Sequence, residues 1–135
     1  MSLITWNQSL SVNVKEFDSQ HMSLVNMVNK LYDSLEMGKG KDILGKIIND
    51  LINGTTTHFA DEEHLMAACA YPERSAHKAE HDNLVNQVLE LQKQFMTGQG
   101  IIALTVVLFL KEWLITHILG DDKKYGAFFR SRGVR

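Results

Sequence analysis

Apolar residues recur along four stretches of the chain at the alternating three- and four-residue spacing that keeps side chains on one face of a helix. The first row is His21, Leu24, Val25, Val28, Leu31, Tyr32 and Leu35, and the second is Leu44, Ile48, Leu51, Thr55, His58, Glu62, Leu65 and Cys69. The third is His77, His81, Leu84, Val88, Leu91 and Phe95, and the fourth is Ala103, Val106, Leu110, Trp113 and His117. Gly38-Lys39-Gly40, Pro72 and Gly98-Gln99-Gly100 separate the rows, as helix stops and turn residues do. The pattern predicts an all-α protein, an antiparallel up-and-down four-helix bundle. The β-branched run Ile101, Ile102, Thr105, Val106, Val107 favours a strand by propensity alone, but the length of the segment and its three helical neighbours decide for a helix. Residues 1–18 carry no helical row. The alternation Leu10, Val12, Val14 predicts a short extended N-terminal arm lying on the bundle. The expected organisation is a single domain with an arm over 1–18, a bundle over 19–126 and a C-terminal tail over 127–135.

Five of the six histidines, with Glu62, occupy these core-facing rows. A buried polar group without a partner costs roughly 1–3 kcal/mol, so six of them on apolar faces imply a positive ion, and their number implies two. Antiparallel threading brings them to one level: His21 starts helix one, His58 and Glu62 lie near the end of helix two, His77 and His81 open helix three, and His117 closes helix four. Residues four apart on a helix share a face with a rise of about 6 Å, so His77 and His81 can chelate one ion. His117 is the natural third ligand by depth. His21 and His58 form a second cluster, and Glu62 can reach between the two. Beyond His117, a continuing helix would put Asp121 on the ligand face, whereas a helix ended by Gly120 in the left-handed conformation would let Asp122 swing inward. Spacing leaves both open. His64 falls on the opposite face from Glu62 and is expected in solvent, and Asp61 and Glu63 read as an ordinary charged face.

Composition narrows the chemistry. The 135 residues suffice for one hydrophobic core, and a net charge of -2 with no basic patch argues against nucleic-acid binding. A single cysteine, Cys69, leaves no internal disulfide and no Cys-rich site, so the ligands are nitrogen and oxygen. The first ten residues do not have the form of a signal peptide. The most apolar stretch, Ile101 to Leu110, is stopped by Lys111 and Glu112, short of the ~20 residues a membrane span needs. A cytoplasmic protein without membrane insertion is expected. The oligomeric state is not legible, and a monomer is compatible with the sequence.

Four ordered motifs resemble the hemerythrin family, in particular its stand-alone bacterial members: Asp18-Ser19-Gln20-His21, His58-Phe59-Ala60-Asp61-Glu62-Glu63, His77-Lys78-Ala79-Glu80-His81, and Trp113 through Tyr125 with His117, Asp121 and Asp122. The likeness covers nearly the whole chain, including Trp6 in the arm. It implies two iron ions (Fe2+/Fe3+), one held by His77, His81 and His117 and the other by His21 and His58. Glu62 and Asp122 would bridge them with an oxo or hydroxo group, since the family's aspartate stands five residues after the histidine. The second iron then keeps an open position for dioxygen, beneath an apolar pocket of Leu24, Phe59, Trp113, Leu114 and Ile118. The implied role is reversible dioxygen binding for storage or delivery, to a recipient such as a di-iron oxygen-consuming enzyme, and not catalysis. The alternatives are a di-iron enzyme acting on peroxide, nitric oxide or a small substrate, and an oxygen sensor. The glutamate and Glu-x-x-His pattern of ferritin-like di-iron bundles is absent, and seven ligands with bridging carboxylates suit paired iron better than tetrahedral zinc.

Overall fold

A computed structural model describes residues 3–97 and 102–134, with the side chains of Lys41, Ile102 and Ala103 left aside. Four long helices carry the four rows: α1 (Lys15–Glu36), α2 (Lys41–Ala68), α3 (Arg74–Met96) and α4 (Ile102–His117). The described residues contain no strand. α1 packs on α2 and α4, and α3 packs on the same two, which is the neighbour relation of an up-and-down bundle. The break expected at Gly98-Gln99-Gly100 and the side chain of Ala103 lie outside the described residues.

Two chain reversals use the same device. Gly38, at φ 70°, follows α1 in the left-handed region while Lys39 N–H returns 3.0 Å to Ser34 O; Ala70, at φ 54°, follows α2 while Tyr71 N–H returns 2.9 Å to Met66 O. Each satisfies carbonyls that the last helical turn would leave bare, and Pro72 then prevents α2 from resuming. The core between these ends is hydrocarbon, with Leu31, Ile48, Val88 and Val106 among its buried members.

Helix bounds differ from the sequence reading at both ends of the chain. α1 begins at Lys15, four residues earlier than expected, with Phe17 buried. The segment 127–135, read as a tail, continues a fifth helix, α5 (Lys123–Ser131), which buries Tyr125, Gly126 and Phe129. Their i, i+4 seam packs on Phe17, with ring centroids 5.5 Å away for Tyr125 and 6.1 Å for Phe129. A nine-residue helix gains its stability from such a seam and not from propensity. Gly120 ends nothing: residues Ile118–Asp122 form a single π-helical turn between α4 and α5, closed by Lys123 N–H to Ile118 O.

The arm contains one 3-10 turn (Gln8–Leu10) and buries Leu10, Val12 and Val14. Side chains of α1 hold it by imitating a strand neighbour. Asn29 accepts from Ile4 N–H and donates to Ile4 O, both at 2.8 Å, and Asp18 accepts from Val12 N–H at 2.8 Å and from Ser11 Oγ at 2.6 Å. α5 crosses the arm so closely that a Cβ on Gly126 would overlap the Val12 carbonyl oxygen and lie 3.1 Å from Val12 Cβ. Gly126→Ala is therefore expected to destabilise the fold by about 1–3 kcal/mol, the range for overpacking where backbone must give way. Thermal unfolding followed by circular dichroism checks this, and an unchanged melting temperature would refute the close approach.

Candidate metal centre

The seven sequence-predicted ligands converge at one end of the bundle, each at most 4% exposed. His21 comes from α1, His58 and Glu62 from consecutive turns of α2, His77 and His81 from the start of α3, and His117 from the end of α4. Asp122 reaches them through the π turn. Widening the helix by one residue puts positions five apart on one face, and π turns of this kind recur at functional sites. His117 Nε2 lies 3.0 Å from Asp122 Oδ1. Asp121, by contrast, is half-buried on the outer side, and His64 is exposed.

The two carboxylates divide their oxygens between two histidine groups. Glu62 Oε1 is 3.2 Å from His81 Nε2 and 3.7 Å from His77 Nε2, and Asp122 Oδ1 is 3.1 Å from His77 Nε2. On the other side, Glu62 Oε2 is 2.9 Å from His58 Nε2 and 3.4 Å from His21 Nε2, while Asp122 Oδ2 is 3.1 Å from His21 Nε2. Two donor sets result, Glu62-His77-His81-His117-Asp122 and His21-His58-Glu62-Asp122, each with its donor atoms within 4.8 Å of one another.

These atoms point at common centres and not at each other. His21 Nε2, His77 Nε2, Glu62 Oε1 and Asp122 Oδ1 are buried without an aligned hydrogen bond, and His81 Nε2 faces His117 Nε2 at 3.2 Å. Orphaned buried donors and acceptors are costly, and a cation at each centre would satisfy them together, so the residues fit a pair of metal ions. Burial disfavours charge on His21 and His77, yet Asp122 and Glu62 outweigh it and raise both imidazoles to about 9. Burial likewise pushes the carboxyl of Glu62 upward, but the surrounding histidines hold it well below the usual range, and those around Asp122 do the same. Metal ions would take the place of these protons.

Groups to which the sequence assigned no site role orient the ligands from behind. Asp61 accepts from Gln20 Nε2 at 3.0 Å, which turns the Gln20 carbonyl toward His58 Nδ1. A carbonyl only accepts, so His58 carries its proton on Nδ1 and keeps the Nε2 lone pair for the centre. His81 Nδ1 faces Glu63 Oε2 at 2.9 Å. Asp61 and Glu63 are thus not an idle charged face. Tyr125, which burial pushes well above its ordinary pKa, donates its hydroxyl proton to Glu62 Oε2. Extending the core-facing row through Asp122, Tyr125 and Phe129 would have found Tyr125; no spacing signal marks Gln20 or Glu63.

Of the five residues expected around one apolar pocket, Leu24, Trp113 and Leu114 line a common cavity with Val28, Leu51, Thr55, Leu84 and Leu110. Phe59 instead stacks on His81 at 3.7 Å between centroids, and Ile118 is buried outside that cavity. Trp113 also stacks on His117 at 4.3 Å.

Fold and site together define a helical-bundle metal protein whose paired histidine clusters share two carboxylates. Residues 12–129 match the sequence pattern of the Hemerythrin HHE cation binding domain. A bacteriohemerythrin of Methylococcus capsulatus is 39% identical over 127 residues, covering 93% of this chain and 96% of the relative. One of Stenotrophomonas maltophilia is 32% identical over 125 residues, covering 93% of this chain and 80% of the relative. A solved wild-type hemerythrin superposes with a TM-score of 0.87 at 38% identity, covering 93% of this chain and 97% of that one. The chain belongs to the hemerythrin family.

Proposed function

We propose that this chain binds dioxygen reversibly at a pair of irons, for storage or delivery. The observation that carries the reading is the division of Glu62 and Asp122, each turning one oxygen to a three-histidine group and the other to a two-histidine group. His77, His81 and His117 would hold one iron, and His21 and His58 the other. Glu62, Asp122 and an oxo or hydroxo group would bridge them. When bound, the irons would supply the two electrons that dioxygen binding needs.

The chain's own residues account for the rest. The hydrogen bond from His58 Nδ1 to Gln20 keeps that imidazole in the tautomer a metal needs. Trp113 lies flat on His117 and Phe59 on His81, and Trp113 shares an apolar cavity with Leu24 and Leu114. Such a lining admits a small neutral molecule and excludes the water that would carry protons in.

Metal analysis with visible spectroscopy tests the proposal. The expected result is two irons per chain, a charge-transfer band that changes with dioxygen or azide, and an oxygenated form that outlives stopped-flow mixing by many seconds. One zinc per chain, or rapid multiple turnovers with no persistent oxygenated form, would overturn it.

A further inference from the structure

All seven converging side chains are buried, so a cation that reaches them must cross the surface at some point. Among the described residues, hollows differing in charge open at the surface near the cluster. The one lined by Glu63 also carries Arg74 and Lys78, the latter paired with Asp82 at 2.9 Å, and so has no excess of negative charge. The one beside His58 presents the neutral side chains Gln20, Ser23, Asn53 and Thr57. The third, between α3, α4 and the π turn, carries Glu80, Glu112 and Asp121 and no basic residue but His117.

His117 faces both ways. Its Nε2 points into the buried cluster, while its Nδ1, on a side chain only 3% exposed, has no hydrogen-bond partner and lies 3.5 Å from Asp121 Oδ2 and 3.8 Å from Glu80 Oε1. The donor atoms of Glu80, His117 and Asp121 fall within 4.8 Å of one another, a third set that touches the inner one through a single imidazole.

We infer that Glu80, Asp121 and the outward nitrogen of His117 form an admission site that captures divalent metal ions from solvent and passes them to the buried centre. The inference rests on the reading that the inner cluster holds the metal. A hollow with carboxylates and low-dielectric walls concentrates cations and raises their arrival rate by 10–10³-fold. Three donors, two of them reachable by water, hold an ion weakly. The inner set shares His117, adds two histidines and two carboxylates, and is dry, so transfer inward is downhill. A metal ion is the substrate of this step and no electron changes hands; as the ion leaves Nδ1 for the inner set, the His117 ring proton moves from Nε2 to Nδ1, where Asp121 Oδ2 stands 3.5 Å away.

The π turn explains why Asp121 is available. Its widened register aims Asp122 inward and leaves Asp121 facing out beside His117. Consecutive aspartates thus serve the two sides of one imidazole.

The test follows uptake of Fe2+ alone by metal-free protein under anaerobic conditions, counting iron protected from a chelator added at timed intervals. A chain carrying Glu80→Gln and Asp121→Asn is compared with one carrying Asp33→Asn and Glu36→Gln, which loses the same charge at the far end of α1. The first variant is expected to take up iron at least about tenfold more slowly than the wild type, with a shallower dependence on salt. It should reach the same final iron content, and the second variant should match the wild type. Equal rates in all three would overturn the inference, as would equal slowing in both variants, which would assign the effect to net charge. Unchanged uptake with faster iron loss would show that the carboxylates only orient His117, and the inference would fall. A wild type that protects no iron would sink the reading of the centre itself, and the admission site with it.

Discussion

Glu62→Ala is expected to leave the protein unable to retain the metal pair proposed for its buried cluster. The substitution takes one oxygen from each donor set at once, so neither centre keeps a shared carboxylate other than Asp122. It also leaves the Tyr125 hydroxyl without its acceptor in a wholly buried position, an added cost of about 1–3 kcal/mol. Loss of a group that merely orients a ligand lowers metal affinity about 10–100-fold, and loss of a ligand common to two ions should exceed the upper end of that range. Metal content after gel filtration reads the outcome directly. His64→Ala, two residues away but exposed, should retain full metal content. Two ions per chain in the Glu62 variant would refute the bridging assignment.

Removing the metal should be almost as damaging to the fold as the substitution is to the site. Five imidazoles and two carboxylates remain buried together, several of their atoms without hydrogen-bond partners, and the protons that the carboxylates recruit onto His21 and His77 only partly answer for them. A ligand present at a thousand times its dissociation constant stabilises the folded state by about 4 kcal/mol. For a chain of this size that corresponds to a melting temperature roughly 10 °C or more higher with metal than without. Differential scanning calorimetry before and after chelation, then after iron is restored, checks the size and reversibility of the shift. Equal melting temperatures with and without metal would mean the cluster is ordinary core.

Much of this was legible from spacing. His58 and Glu62 interrupt an apolar row at helical intervals, and His77 and His81 open another; amphipathic helices must turn those rows inward, so the convergence follows from periodicity. Spacing does not decide Asp122, because it offers a regular helix or an end at Gly120, and the chain takes a third course by widening one turn. α5 was missed because Gly126 thins its row and Lys123-Lys124 makes its start look like a solvated terminus, while the aromatic partners that hold it come from Phe17 and Tyr71, over fifty residues away in sequence. Gln20, Asp61 and Glu63 stand on helix shoulders, where a side chain that reaches a neighbouring helix has the same periodicity as one that reaches water.

The gathering of every ligand at one level of the bundle grades the chain's tolerance of change along its long axis. Around Leu31, Ile48, Val88 and Val106, one hydrocarbon can replace another of similar volume for less than about 1.5 kcal/mol. Near Phe59 and Trp113, which lie flat on His81 and His117, the same exchange would tilt an imidazole and be felt by whatever it holds. A designer seeking a sturdier scaffold would therefore rebuild the hydrocarbon half and leave the histidine half alone.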